Sequence, residues 1–405
     1  MNRSSIFGLK IDFEKSQGSY LYDKFTDKKY LDFFGQYSTL ALGYNHPIFK
    51  SSAYQKEIKL VSHQKITNCE IFSSESEDFD RVFREYTSKD IFTHYHYSCT
   101  GALAIESAIK TAIDYKGKDC NRVISFKKSF HGINSYGGIY TDRSGAVGPR
   151  LNGFPGSYWD PIDNPVIKYD NGKKVIDEAH VSEVIDNIEK ILRDEKKVCA
   201  ILLEPIQCTH GDNYFPDSFF IGIRNLCNKY DIPLIFDEIQ IGFGATGKLW
   251  YFEHLPIIPD ILVFGKKTQL SGIAVQEKFA KIFDKSIRLE VTWDSDLMDM
   301  VRCKHIIRAY EKYDILENVL SKSKVLISGL KKISAIENLR SKGLIVGFDL
   351  ENGKKRRRFM EKCKELGFIC NPTGEISVRL RPNLAVSENE ILESLEIIDK
   401  VCNKI

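Results

Sequence analysis

No stretch of this chain is apolar for the length a bilayer requires, and its ten cysteines include no Cys-x-x-Cys pair. The first absence leaves no candidate transmembrane helix. The second argues against a thiolate metal site and against a disulfide framework, so no metal is expected. Excess charge of one sign is also missing: 58 Lys and Arg stand against 55 Asp and Glu, a formal net charge of +3. Nothing in that balance points to nucleic acid or an anionic membrane as a partner. The one dense basic run, Lys354–Arg358, reads as a solvated surface. There is no internal repeat and no low-complexity tract. Residues 1–15 are polar and charged, without the apolar core of a secretory leader. A reduced, soluble, cytoplasmic protein is expected.

What is present is a long alternation of strand and helix patterns. With 405 residues the chain can hold two or three domains. Short apolar, β-branched runs lie at Val123–Phe126, Cys199–Glu204, Pro233–Asp237 and Ile261–Phe264. Between them, Ala102–Tyr115 repeats Ile105, Ala108, Ile109, Ala112 and Ile113 at helical spacing, and Phe219–Lys229 reads as another helix. This alternation predicts an α/β domain with a mainly parallel sheet. From Ser295 the pattern changes. Ser295–Glu317 and Leu320–Ile333 read as long helices, Gly347–Leu350 and Ser377–Leu380 as strands around a helix Lys354–Leu366, and Glu388–Cys402 as a closing helix. That tail is expected to form a smaller α+β domain. Near the start, Gly18–Tyr22 and Lys29–Phe34 read as two short strands that pack with the tail or cover a site. The segment Arg150–Lys174, rich in Pro, Gly, Asn and Asp, reads as a long loop. The expected division is 1–60 as a segment contributing to the small domain, 61–295 as the large domain and 296–405 as the small one.

The tightest chemical signal is Phe236-Asp237-Glu238-Ile239-Gln240, which puts Asp237 at the carboxyl end of a buried strand. Ligands of open parallel sheets bind outside those ends. An acid there can hold a metal, act as a base or pair with a ring nitrogen. Further on, Ile261-Leu262-Val263-Phe264-Gly265 delivers Lys266 and Lys267 to the end of another strand. A lysine so presented can form a Schiff base with a carbonyl cofactor. Either residue alone says little. Together they suggest pyridoxal 5′-phosphate (PLP), with lysine on the aldehyde and aspartate on the ring nitrogen. Ser98-Cys99-Thr100-Gly101-Ala102 precedes the helix carrying Glu106, where small residues let backbone N–H groups reach an anion. Alone, that Thr-Gly is an ordinary helix cap. In Ser129-Phe130-His131-Gly132 the phenylalanine could lie against a ring, although a lone Phe is usually core.

In company, these motifs resemble the class III (ornithine/4-aminobutyrate type) aminotransferases of PLP fold type I. The resemblance runs through Gly18–Asp23, Tyr30–Phe33, Leu42–Pro47, Thr100–Ala102 with Glu106, and Phe130–Gly132. Leu203–Gln207, Phe236–Gln240 and Arg379–Pro382 complete it in order. Within the class, the L-lysine 6-aminotransferase branch is most similar. It shares Thr100–Ala104, the six residues Phe264–Gln269 around the lysine pair, Thr292-Trp293 and Asp299–Arg302. The resemblance implies that Lys266 is the Schiff-base lysine, Asp237 the ring-nitrogen partner and Phe130 the stacking residue, followed by His131. It implies phosphate contacts from Thr100, Gly101 and Ala102, and Gln240 near the ring hydroxyl. Glu204 would be a carboxylate close to Asp237, with a structural salt bridge as the rival reading. Thr292 would reach the phosphate of another subunit, so a homodimer with shared sites is implied.

The resemblance fails where substrate is held. An arginine that grips a substrate carboxylate in the branch is Ile133 here, which has no donor. A glutamate that gates a second arginine is replaced around Cys208 and Thr209, while Arg379 resembles that second arginine. Arg143 or Arg150, in the following loop, are candidates to supply the lost donor. Asp294-Ser295-Asp296 and Leu270-Ser271-Gly272 also depart from the branch. The implied activity is ping-pong transfer of a terminal amino group to a keto acid such as 2-oxoglutarate. L-Lysine is the default donor, and the changes at Ile133 and Thr209 point to a different primary amine. The alternatives are a PLP-dependent aminomutase or epimerase, and a non-catalytic binding protein of the same fold.

Overall fold

A computed structural model describes residues 7–117, 119–142, 151–158, 161–170 and 172–405. Two short strands come first, β1 (Tyr20–Tyr22) and β2 (Lys29–Asp32). Strand β3 (His94–Ser98) leads into helix α1 (Gly101–Lys116), followed by β4 (Arg122–Ile124) and β5 (Val198–Leu203). Helix α2 (Asp217–Tyr230) precedes β6 (Leu234–Asp237), β7 (Ile261–Phe264) and β8 (Ser271–Val275). Helices α3 (Leu297–Lys312) and α4 (Ile315–Leu330) come next, then strands β9 (Glu337–Lys342) and β10 (Ile345–Asp349). Helix α5 (Gly353–Glu365), strands β11 (Phe368–Ile369), β12 (Asn371–Thr373) and β13 (Ser377–Leu380), and helix α6 (Glu388–Cys402) end the chain.

The central sheet has six strands in the order β3-β8-β7-β6-β5-β4. Its neighbours β7, β6, β5 and β4 pair in parallel, and β8 runs antiparallel to both β7 and β3. The expected mainly parallel sheet is present. Both faces are covered, and the strand sequences show why. Ile235, Ile261 and Val263 pack with Ile105, Ala108 and Ile109 of α1 on one side. Leu234, Phe236, Leu262 and Phe264 enter the larger core on the other. Alternate residues thus point to opposite faces, and both must be apolar, which reads in sequence as an unbroken hydrophobic run. Each such side chain contributes about 1.5–3 kcal/mol by leaving water.

The tail holds a four-stranded antiparallel sheet, β9-β10-β13-β12. The two N-terminal strands join β11, with β2 parallel to it, so the start of the chain is tied to its end. The two expected helices, Ser295–Glu317 and Leu320–Ile333, are present, but the break between them falls earlier, at Tyr313 and Asp314. Asp314 sits in the left-handed region (φ 48°), where the helix cannot continue and which Asp tolerates better than most residues. The apolar spacing carries across the break, which is why the sequence pattern places the first helix's end at Glu317. Strand β4 stops at Ile124, short of the expected Phe126, which makes a lone parallel bridge to Ile162. Within the expected loop 150–174, Lys168–Asp170 pairs antiparallel with Lys173–Val175.

Gly272, in β8, is the tightest point of this sheet: a Cβ there would meet the carbonyl oxygen of His96 and approach Phe264 Cζ to 2.7 Å. Gly272→Ala is expected to destabilise the fold by about 1–3 kcal/mol, as overpacking of a closed core does. A urea unfolding midpoint equal to that of the parent would contradict this packing.

Candidate active site

Five strand ends converge on one edge of the central sheet. Ser98 closes β3 just before α1, Glu204 follows β5, Asp237 ends β6, and Lys266 lies two residues past β7. Strand β8, running the other way, brings Ser271 to the same edge opposite Ser98. A cavity of about 210 Å³ opens there, lined by Gly101, Phe130, Glu204, Asp237, Gln240 and Lys266. Ala102, His131 and Ser271 also border it. Residues far apart in sequence meet because parallel strands place all their carboxyl ends on one side.

Asp237 is buried, and its oxygens are used separately. Oδ1 accepts the Ile239 amide at 3.1 Å, and Oδ2 lies 2.9 Å from His131 Nδ1. His131 Nε2 is buried without a hydrogen-bond partner among the described residues, as is Gln240 Oε1. Glu204 makes no ion pair among them. Its Oε1 accepts the Phe130 amide at 2.7 Å, which ties it to the loop that carries Phe130. Burial, and then the negative charge of Asp237, push the Glu204 carboxyl well above its usual range.

The two lysines part company. Lys267 is buried and donates Nζ to the Gln240 carbonyl at 2.7 Å, with burial pressing its ammonium form strongly down. Lys266 adopts φ 56°, a left-handed conformation uncommon outside glycine, which turns its side chain into the cavity. Burial first, then the positive charge of Arg379, lower its pKa from 10.5 to about 8. At neutral pH a useful fraction is therefore the free amine that attacks a carbonyl.

At the start of α1, Thr100 caps the helix, its hydroxyl accepting the Leu103 amide at 3.5 Å. The amides of Gly101 and Ala102 belong to the first turn, which cannot satisfy them within the helix. A Cβ on Gly101 would come within 2.9 Å of Ile239 Cδ1, so a larger residue there would displace that side chain at the cavity wall. Together, an anion cradle, a lowered-pKa amine and a buried carboxylate with uncommitted polar atoms nearby fit a phosphorylated aromatic aldehyde.

Other expected residues lie outside the cavity lining. Ile133 is 55% exposed beside Gly132, and Thr209 is half-buried with its carbonyl on Thr373 Oγ1 at 3.0 Å. Arg379, on β13, donates Nη1 to the Cys208 carbonyl at 2.7 Å. Thr292 is exposed and away from this chain's own cavity. Arg143 and Arg150 lie outside the described residues. Ile206, Ile239 and Ile241 also border the cavity and were not anticipated. Their only signal was position, next to Glu204 and Asp237 in the two strand-end motifs.

The family profile for class III aminotransferases matches residues 3–402. L-lysine-epsilon aminotransferase of Streptomyces clavuligerus is 28% identical, over 97% of this chain and 90% of that one. The enzyme of the same description from Mycobacterium tuberculosis (strain ATCC 25618 / H37Rv) is 30% identical, over 95% of this chain and 89% of its own. A solved structure of lysine aminotransferase from M. tuberculosis superposes with a TM-score of 0.93 at 28% identity, covering 99% of this chain and 96% of that one.

Because a lysine reacts as its neutral amine, Lys266 should capture a small aldehyde, trapped by borohydride, at a rate that rises with pH through about 8 and levels above it. Peptide mass mapping is expected to place the adduct on Lys266 and not on Lys267. An adduct on Lys267, or a midpoint near 10.5, would remove Lys266 from this role.

Proposed function

The chain belongs to the class III aminotransferases, and we propose that it moves the amino group of a terminal primary amine to a 2-oxo acid, with Lys266 and Asp237 as its working residues. The observation that carries this reading is the meeting of those two side chains in one cavity at the ends of adjacent parallel strands. PLP is the cofactor of the family; when bound, its ring draws electrons from the substrate carbon that bears the nitrogen.

In this reading Lys266 Nζ would hold the cofactor's aldehyde carbon, and the same nitrogen would carry a proton to and from the substrate carbon. Its lowered pKa suits both duties, since the same nitrogen must accept and release a proton near neutrality. Asp237 would hold the ring nitrogen in its protonated form, and His131 Nδ1 orients that carboxylate. Phe130 forms a wall for the ring, Gln240 Oε1 is available to the ring hydroxyl, and Thr100, Gly101 and Ala102 take the phosphate. Glu204 keeps Phe130 in place through its amide.

Thr292 supports a homodimer in which each copy completes the other's site. It is flanked by the exposed apolar side chains of Val291 and Trp293, a surface better covered than wet. Mixing a Thr292→Ala chain with a Lys266→Ala chain under conditions that exchange subunits is expected to restore activity in hybrids, because one of their two sites is intact. Full activity of Thr292→Ala alone would sink the shared-site arrangement.

The donor is a terminal amine that does not depend on a carboxylate grip at position 133. Ile133 offers a substrate carboxylate no hydrogen bond, so the relatives' named substrate, L-lysine, loses a charge-assisted contact of about 1.5–3 kcal/mol. Near-visible absorbance of the PLP-loaded protein should respond weakly to excess L-lysine without oxo acid. It should respond strongly to an amine lacking the carboxylate, such as butane-1-amine. Conversion by lysine at tenfold lower concentration than by the plain amine would overturn the donor assignment and leave the cofactor reading intact.

A further inference from the structure

Helix α1 points its N-terminus at the cavity, and the strands beneath it decide what else reaches that point. On β8, Ser271, Ile273 and Val275 share one face of the sheet. Ile273 and Val275 pack there with Ile105, Ala108 and Ile109 of α1. Ser271 therefore faces the helix side too, at the edge where the site lies, opposite Ser98 and just beneath the entry to α1. Two glycines show how closely these parts meet. A Cβ on Gly101 would touch Ile239 Cδ1, and one on Gly265 would lie 3.3 Å from Ile239 Cγ2 and 2.6 Å from Ser271 Oγ. One isoleucine side chain thus spans from the first turn of α1 to the backbone against which the Ser271 hydroxyl rests. Ser271 is 5% exposed, borders the cavity and has no partner for its hydroxyl among the described residues. Its neighbours on that face are apolar, so the hydroxyl interrupts the pattern where the face meets the cavity. A buried hydroxyl left unpaired costs stability that alanine would not.

We propose that Ser271 Oγ donates a hydrogen bond to the cofactor's phosphate, completing from β8 the cradle that Thr100, Gly101 and Ala102 open on α1. The inference rests on the transaminase reading and adds a phosphate ligand to it. A phosphate dianion offers only acceptor oxygens, and a serine hydroxyl turns its proton to suit, so the bond is charge-assisted. The free amides and positive end of α1 draw the anion to the point where that hydroxyl is already placed. Glycine at 265 keeps the backbone before Lys266 thin enough for the hydroxyl to sit against it. Ser271 belongs to Leu270-Ser271-Gly272, one of the departures from the lysine 6-aminotransferase pattern, so the donor is a property of this chain.

The test separates the phosphate from the ring. The full apo-chain and its Ser271→Ala variant are titrated with PLP and with pyridoxal, which lacks the phosphate, and binding is followed by near-visible absorbance. Ser271→Ala is expected to loosen PLP about tenfold or more and to leave pyridoxal within about twofold of the parent. The phosphorus-31 resonance of bound PLP should move as well. Without cofactor, the variant's thermal midpoint should equal or exceed the parent's, because an unpaired buried hydroxyl is gone. Ser271→Cys, close in shape and a weak donor, should loosen PLP and spare pyridoxal, and it decides the matter should Ser271→Ala not fold. Equal loosening of PLP and pyridoxal, loosening of neither, or a lowered midpoint of the apo-variant overturns the phosphate assignment and leaves the transaminase reading standing. If the parent itself binds no PLP, the transaminase reading falls and takes the phosphate assignment with it.

Discussion

Parallel pairing between Leu234–Asp237 and Ile261–Phe264, with Ile235 opposite Ile261, sets the distance between the carboxylate and the amine on which this site is built. Strand side chains alternate, so a slip of one residue would turn Phe236 and Phe264 out of one core and Ile235 out of the other. Both faces are apolar, and neither tolerates the exchange of packing partners. The register is thus held by burial along the whole strand, and the functional groups at its end inherit that precision. Lys266 needs one further adjustment, the left-handed turn at its own Cα, and it is at that residue that conformational cost is spent on orientation.

The tail is coupled to this edge through charge buried in the interior. Arg381 pairs with Asp212, and Arg340 bonds the Gly211 carbonyl, Asp349 and Ser377. The short loop 208–213 is therefore welded to the antiparallel sheet that carries Arg379. Removing one member of such a pair strands the other charge in the core, so the loop and the sheet behave as one body. Arg379, held by the Cys208 carbonyl, belongs to that body. Relative to the sheet edge that bears Lys266, it is positioned by the fold as a whole and not by local loop preference.

Much of the fold was legible because a buried parallel strand must be apolar on both faces. Val198–Leu203 and Ile261–Phe264 announce themselves for that reason, and Asp237 and Lys266 stand out as charge placed where burial forbids it without purpose. The helices after Ser295 were harder. Their apolar spacing runs on through Tyr313, and the turn at Asp314 depends on one backbone angle that composition does not mark. Contacts between distant residues were invisible for another reason. His131 was noted beside Phe130, but its bond to Asp237 spans 106 positions and follows only from the sheet order. The apolar lining at Ile206, Ile239 and Ile241 read as ordinary core, since isoleucine looks the same facing a cavity as facing a neighbour.

The bond from Lys267 to the Gln240 carbonyl settles a problem of identity between neighbours. Two primary amines stand side by side on the same stretch of backbone, chemically alike, and a carbonyl compound entering the site meets both. Committing an N–H of one to a backbone oxygen, inside the protein, removes its freedom to swing toward the cavity. The pair then behaves as one reactive amine with a silent twin, and selectivity between identical functional groups is achieved by anchoring, with no difference in their intrinsic chemistry required.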